Sequence, residues 1–90
     1  MVNEYEIVIM KSALKDKEKI KEIPALKKNV ERLLDVLKKN PYQNPPPYEK
    51  LSGSLKVLYS RRINQQHRLV YKVLEKERCV VIVSMWSHYE

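Results

Sequence analysis

One stretch, residues 59–71, constrains the fold of this chain most. It reads Tyr-Ser-Arg-Arg-Ile-Asn-Gln-Gln-His-Arg-Leu-Val-Tyr, so two strand-like runs flank a polar turn. This pattern predicts a β-hairpin. Between Lys50 and Leu74 the chain has six lysines and arginines and no acidic residue. A hairpin of one charge sign suggests a surface for a polyanion, although an edge hairpin protected by cations has the same pattern.

The net charge also points to a negatively charged partner. The formal net charge is +7 over 90 residues, and this length fits a single domain over residues 1–90. The excess of lysine and arginine falls in residues 11–40 and 50–72. Two basic patches on a small domain suit a protein that binds RNA, DNA or an acidic protein.

The cysteine count, the apolar runs and the lack of ligand motifs indicate where the protein is located and which cofactors it can bind. Cys79 is the only cysteine, so no disulfide forms within the chain and a cytoplasmic location is expected. Residues 1–10 lack the pattern of a signal peptide, and the longest apolar run, residues 79–83, is too short to span a bilayer. The scattered histidines and the single glycine predict no metal site, no phosphate loop and no cofactor.

Hydrophobic periodicity predicts the order β-α-α-β-β-β. Apolar residues alternate over residues 2–10, and Ser12 is the expected N-cap of a helix over about residues 13–22. A second helix starts at Pro24, with apolar residues at helical spacing, and a proline-rich linker occupies residues 40–48. Three strands are predicted at about residues 55–63, 67–74 and 78–87.

The connections between these elements predict the fold class. The last three strands have no helix between them, so they form an antiparallel meander. The chain is therefore expected to be an α+β domain with a four-stranded, mainly antiparallel sheet and two helices on one face.

Three residues could carry chemistry together: Glu49, Arg68 and His88. A base, an acid and a cation are the minimum set for metal-free RNA cleavage. The base takes the proton of the 2′-OH, the acid protonates the leaving 5′-oxygen, and the cation offsets the charge of the phosphorane. Each of the three also fits an ordinary surface position, and the residue types alone do not separate these interpretations.

Three segments resemble one protein family. The stretch at 59–71, Tyr-Glu-Lys-Leu at 48–51 and Met-Trp-Ser-His-Tyr at 85–89 look like the YoeB/Txe family, a branch of the RelE superfamily of toxin–antitoxin toxins. The likeness covers nearly the whole chain and implies a RelE-like fold. Members of the family are ribosome-dependent mRNA endonucleases that cut in the A site. A cognate antitoxin silences them by covering the active site with its C-terminal segment.

The resemblance also implies roles for individual residues. Glu49 would be the general base, Arg68 would stabilise the scissile phosphate, and His88 would be the general acid. Tyr89 would hold the base or orient the phosphate.

Binding of RNA is expected from a second set of residues: Lys50, Arg61, Arg62 and His67. Of these, His67 lies in the hairpin turn and is expected to be either structural or a contact to rRNA. The chain departs from the family at Ser52, where a lysine is usual, and at Glu90, which extends the chain beyond Tyr89.

A shared site for Arg68 and His88 has a consequence for strand register. Opposed residues of an antiparallel pair share a face, so paired residue numbers across the last two strands must sum to an even number. A two-residue turn at Lys76-Glu77 gives odd sums and puts His88 on the wrong side. The sequence therefore predicts a three-residue connection or a bulge, unless the chain bends after Ser87.

The function expected from this resemblance is that of a ribosome-dependent mRNA endonuclease toxin. Cleavage by metal-free 2′-OH transfer would leave a 2′,3′-cyclic phosphate or a 3′-phosphate. The expected partners are an acidic antitoxin and the ribosome, with its rRNA and A-site mRNA, together with a possible homodimer or toxin–antitoxin heterocomplex. Two alternatives stay open: a non-enzymatic, ParE-like toxin that poisons DNA gyrase, and a plain RNA-binding module.

Overall fold

A computed structural model describes residues 4–51 and 57–86. The chain runs in the order β1-α1-α2-β2-β3-β4-β5. The elements are β1 Glu6–Ile9, α1 Lys11–Ile20, α2 Pro24–Lys39, β2 Tyr48–Leu51, β3 Leu58–Arg62, β4 Arg68–Leu74 and β5 Cys79–Ser84. No helix in this part of the chain has the length and apolar character that a membrane span requires.

All the strands belong to one sheet, in the order β1-β5-β4-β3-β2. β1 runs parallel to β5, and every other pair is antiparallel. The predicted α+β class, the mainly antiparallel sheet and the two helices are confirmed. The predicted count of four strands is wrong, because the sheet has a fifth strand, β2. This strand is not evident from the sequence because it is only four residues long and begins at Tyr48, directly after the four prolines of residues 40–48.

The two helices differ in how closely they follow the prediction. α2 has Pro24 at its first turn and ends before Asn40, as expected. α1 begins at Lys11, and the expected cap at Ser12 is wrong, because Met10 occupies the N-cap without a side-chain hydrogen bond. The Ser12 hydroxyl instead donates to the carbonyl of Val83, at 3.0 Å. Tertiary contact therefore outweighs local capping at this end of the helix.

The core lies between the helices and one face of the sheet, called here the helix face. α2 contributes four buried apolar residues to it and α1 two. From the two central strands come alternate residues, which is the pattern of one face of a pleated sheet. These strand residues are Leu69, Tyr71, Val80 and Ile82, none of them exposed.

The predicted bulge is present between β4 and β5. Tyr71 pairs with Ile82, whereas Val70 pairs with Ser84, so Val83 is the additional residue on β5. The turn between the two strands gives odd sums, and the bulge restores even sums beyond it. As a result, Met85 lies in the core with Leu69. The expected bulge is thereby confirmed, while His88 lies outside the described residues.

Candidate functional site

The site begins with an ion pair that joins two strands which are not neighbours. Nη1 of Arg68 on β4 lies 3.1 Å from Oε1 of Glu49 on β2, and β3 runs between them. The carboxylate side chain is 69% exposed and the arginine side chain 30%. Two of the residues that the sequence predicted for catalysis are therefore in contact, and both remain accessible to a ligand.

A small residue on the middle strand lies between these two side chains. Ser60 pairs with Glu49 on one side and with Val70 on the other. Opposed residues share a face, so Glu49, Ser60 and Arg68 lie on the face opposite to the helices, called here the site face. The short side chain of Ser60 leaves room for the long side chains of the ion pair to meet above β3.

Arg62 adds a second cation to the site face. It is opposite Arg68 in the β3–β4 ladder and is exposed to solvent. Two arginines side by side offer planar forks that suit phosphate oxygens. By contrast, Lys50 directly follows Glu49 in β2, and alternate residues of a strand lie on opposite faces. The structure thus does not bring Lys50 together with Glu49 and Arg68.

Arg61 lies on the helix face, and its assignment to RNA binding is corrected. Only 1% of the residue is exposed. Its guanidinium donates to the carbonyls of Pro46 at 2.6 Å, Gln43 at 2.8 Å and Pro41 at 3.1 Å. Nε donates to the hydroxyl of Tyr71 at 3.2 Å. A cation buried in this way is stabilised by its internal partners and has no access to nucleic acid.

This buried arginine orders the proline-rich segment that leads into β2. The guanidinium also lies over the ring of Tyr48, 4.8 Å from its centroid. The Tyr71 hydroxyl donates to the Pro41 carbonyl at 2.8 Å, and burial raises its pKa although the Arg61 charge acts to lower it. One sequence signal could have revealed the role of Arg61: it lies at even spacing from Tyr59 and Ile63, which share the helix face.

His67 has a structural position immediately before β4. Its Nδ1 hydrogen-bonds the carbonyl of Trp86, and the two rings lie 4.5 Å apart between centroids. The turn before it is closed by Asn64, whose Oδ1 accepts from the backbone N–H groups of Gln66 and His67. Of the two roles considered for His67, these contacts favour the structural one.

The C-terminal residues of the predicted site, His88 and Tyr89, lie outside the described residues, as do Ser52 and Glu90. The chain that leads to them is tied to α1. Asp16 Oδ2 accepts from the backbone N–H of Met85 at 3.1 Å, next to the contact of Ser12 with the bulge. The predicted roles of His88 and Tyr89 stay predictions.

A second polar cluster lies at the β4–β5 turn, beyond the opposite end of β4 from Arg68. Glu75 accepts hydrogen bonds from the hydroxyls of Tyr42 and Tyr5, the latter at 3.0 Å. The Tyr42 contact, assisted by Tyr5 and Arg78, lowers the pKa of the Glu75 carboxyl, while burial is the largest cause that raises the pKa of Tyr42. These contacts join the proline-rich segment, the residue before β1 and the turn, which indicates a structural role.

Comparison with known proteins identifies the family. Residues 10–89 match the family described as YoeB-like toxin of bacterial type II toxin-antitoxin system. The chain belongs to this YoeB family of toxins. The resemblance carried by residues 48–51, 59–71 and 85–89 is therefore confirmed.

Individual relatives agree with this assignment. The Toxin YoeB of Streptomyces coelicolor is 37% identical over 62 residues, which are 69% of this chain and 71% of that protein. The YoeB dimer from Staphylococcus aureus superimposes with a TM-score of 0.79 at 30% identity, covering 94% of this chain and 98% of that one. A YoeB-YefM complex from the same organism gives 0.80 at 31% identity, with the same two coverages.

Proposed function

We propose that this YoeB-family toxin is a ribosome-dependent mRNA endonuclease that cleaves A-site codons. The observation that carries the proposal is the exposed Glu49–Arg68 ion pair on the site face. It joins a proton acceptor and a phosphate-binding cation, the two groups that cleavage by the neighbouring 2′-OH needs first. A toxin that acts by binding alone does not require this pair, nor His88 and Tyr89 in the chain beyond β5.

The proposed reaction is a transfer within the RNA. Glu49 takes the proton of the 2′-OH as the oxygen attacks the adjacent phosphorus. Arg68 donates hydrogen bonds to the phosphorane, and His88 protonates the 5′-oxygen as its bond to phosphorus breaks. Tyr89 orients the phosphate or holds the base. The products are a 2′,3′-cyclic phosphate, which hydrolysis turns into a 3′-phosphate, and a 5′-hydroxyl.

The ion pair of the free protein is compatible with substrate binding, because Arg68 can exchange the Glu49 carboxylate for a phosphate. Arg68 donates to Glu49 from one nitrogen, Nη1, and a guanidinium has further N–H groups that can donate to phosphate oxygens. When a phosphate binds, it competes with the carboxylate for the arginine. Arg62, opposite Arg68, supplies a further contact to the RNA backbone.

The proposed partners are an antitoxin and the ribosome. The Staphylococcus aureus relative is found with YefM and as a dimer, and we extend an antitoxin complex and a possible homodimer to this chain. A net charge of +7 favours an acidic antitoxin segment, with Arg62 or Arg68 as its contact. Translating ribosomes as the target imply action in the cytoplasm.

Primer extension on mRNA from a translating extract tests the proposal. We expect the wild-type protein to produce cuts at a fixed position relative to the reading frame, and Glu49→Gln to produce the same cuts roughly 10²–10⁴ times more slowly. Intact mRNA with the wild-type protein would contradict the nuclease. Inhibition of DNA supercoiling by gyrase, without RNA cleavage, would support the ParE-like alternative. Ribosome binding with neither effect would leave a plain RNA-binding module.

A further inference from the structure

The hydroxyl of Ser60 is buried and, within the described part of the chain, unpaired. The proposed reaction gives it no role so far. The residue is 2% exposed, and its Oγ has no hydrogen-bond partner among residues 4–51 and 57–86. Burying a hydroxyl without a partner destabilises a protein, and most buried polar groups are paired. A valine or alanine would fill the same strand position without that cost, so the hydroxyl calls for a role outside the free protein's own hydrogen bonding.

The location of this hydroxyl suggests the role. Ser60 is the cross-strand partner of Glu49, and the Cβ atoms of such partners lie about 5 Å apart. The Glu49 carboxylate reaches away over β3 to Arg68 in the free protein. A rotation of the Glu49 side chain would bring the carboxylate to its own neighbour instead. Val70, on the other side of Ser60, offers no polar group.

We propose that Ser60 is a positioning residue for Glu49: its hydroxyl donates a hydrogen bond to the Glu49 carboxylate when the scissile phosphate engages Arg68. The inference rests on the proposed nuclease function. In the free protein Arg68 holds the carboxylate. In the substrate complex the phosphate takes the arginine, and Ser60 replaces it as the donor that fixes the base. The unpaired hydroxyl of the free protein is thus satisfied when the substrate binds.

The test is Ser60→Ala, measured in single-turnover cleavage at saturating protein. We expect a rate about 10- to 100-fold lower, the factor that corresponds to one hydrogen bond to a charged group. Ribosome binding should be unchanged, because Ser60 is only 2% exposed and offers almost no surface to RNA. The melting temperature should stay the same or rise, because an unpaired buried hydroxyl has been removed. A residue that only packs would not lower the rate while keeping the protein as stable.

Two further variants sharpen the result. Ser60→Thr keeps the hydroxyl and should retain most of the rate that Ser60→Ala loses. In a Glu49→Gln background, Ser60→Ala should cause little further loss, because it acts through the base that is already absent. Full additivity of the two substitutions would overturn the proposal.

The outcomes also separate this inference from the function on which it rests. A wild-type protein that cuts no mRNA contradicts the nuclease itself. A wild-type protein that cuts, together with a Ser60→Ala variant that cuts equally fast, contradicts only the role of Ser60. A slower Ser60→Ala variant with a lower melting temperature would assign Ser60 to packing and overturn the proposal as well.

Discussion

Arg61 and Arg62 are adjacent in β3 and have opposite environments. Arg61 is buried on the helix face and donates to three backbone carbonyls of the segment before β2. Arg62 is exposed on the site face, opposite Arg68. The same side chain thus orders a loop at one position and is available to a ligand at the next. What decides between the two is the pleat of the strand, since successive side chains lie on opposite faces.

The comparison shows how one strand serves two purposes. The helix face uses charge to order a segment rich in proline, whose residues lack backbone donors and leave carbonyls to be satisfied by others. The site face keeps its charges in reach of solvent, with Glu49 and Arg68 paired only to each other among the described side chains. Substitutions on the helix face should therefore affect stability, and those on the site face should affect activity.

Substitutions of the predicted base and acid should have the largest effect, which is on the rate of RNA cleavage. Glu49→Gln and His88→Gln should each lower the single-turnover rate by roughly 10²–10⁴, the usual contribution of a positioned base or acid. Glu49→Gln keeps the shape of the side chain and His88→Gln keeps a polar group that can form hydrogen bonds, so ribosome binding should be nearly unchanged. Rapid-quench cleavage and a filter-binding assay measure the two quantities separately. If His88→Gln cuts at the wild-type rate, His88 is not the acid.

The second largest effect is a loss of stability when Arg61 on the helix face is replaced. Arg61→Met should remove the donor to the carbonyls of Gln43 and Pro46, at about 1–3 kcal/mol each, while the Pro41 carbonyl keeps the Tyr71 hydroxyl as its donor. The melting temperature should fall by more than about 10 °C for a domain of this size. Arg62→Met is the matched control and should change stability by less than about 0.5 kcal/mol. Equal melting temperatures for the two variants would remove the distinction drawn between the faces.

A smaller effect is expected on the salt dependence of binding. Arg62→Ala removes one phosphate contact, so the slope of log affinity against log salt should flatten by roughly one unit, or somewhat less on single-stranded RNA. The rate of cleavage at saturating protein should stay close to the wild-type rate. Affinity for ribosomes at several salt concentrations provides the measurement, and a slope equal to that of the wild type would exclude a phosphate contact at Arg62.

The smallest effect is on the pH dependence of stability and involves Glu75. The pKa of the Glu75 carboxyl is lowered in the folded protein. The carboxylate therefore contributes stability at pH values above its unfolded-state pKa, near 4.3, and this stability is lost as the pH falls through the folded-state pKa. Glu75→Gln should therefore lower stability at pH 7, and the difference from the wild type should shrink toward pH 3. Denaturant unfolding at several pH values measures it, and a difference that does not vary with pH would contradict this account.

The sequence predicted those parts of the fold that depend on the spacing of apolar residues and on which residues of two paired strands share a face. The face of α2, the three late strands and the bulge all follow from spacing along the chain. β2 could not be predicted, because a four-residue edge strand after several prolines is stabilised by its neighbour β3 and has little pattern of its own. The cap at Ser12 failed for a similar reason, since its hydroxyl bonds a carbonyl 71 positions away.

The candidate site was predicted in composition more than in arrangement. Residue types and motifs indicated Glu49 and Arg68, and their contact follows from the strand order. The charge pattern predicts an exposed Arg61, whereas the alternation of side chains along β3 places it in the core. Nor can composition show that the hydroxyl of Ser60 is buried without a partner, since that depends on three strands at once.

The bulge at Val83 has a consequence for how the gene can change. Deleting this one codon would make the ladder regular without changing its partners, because Ser84 would follow Ile82 directly and Met85 would stay in the core. A codon inserted after Ser84 would instead transfer Met85 to the opposite face. The coding sequence should therefore tolerate the loss of residue 83 better than a gain directly after Ser84, whereas the exposed Lys76 and Glu77 of the turn can vary in residue type.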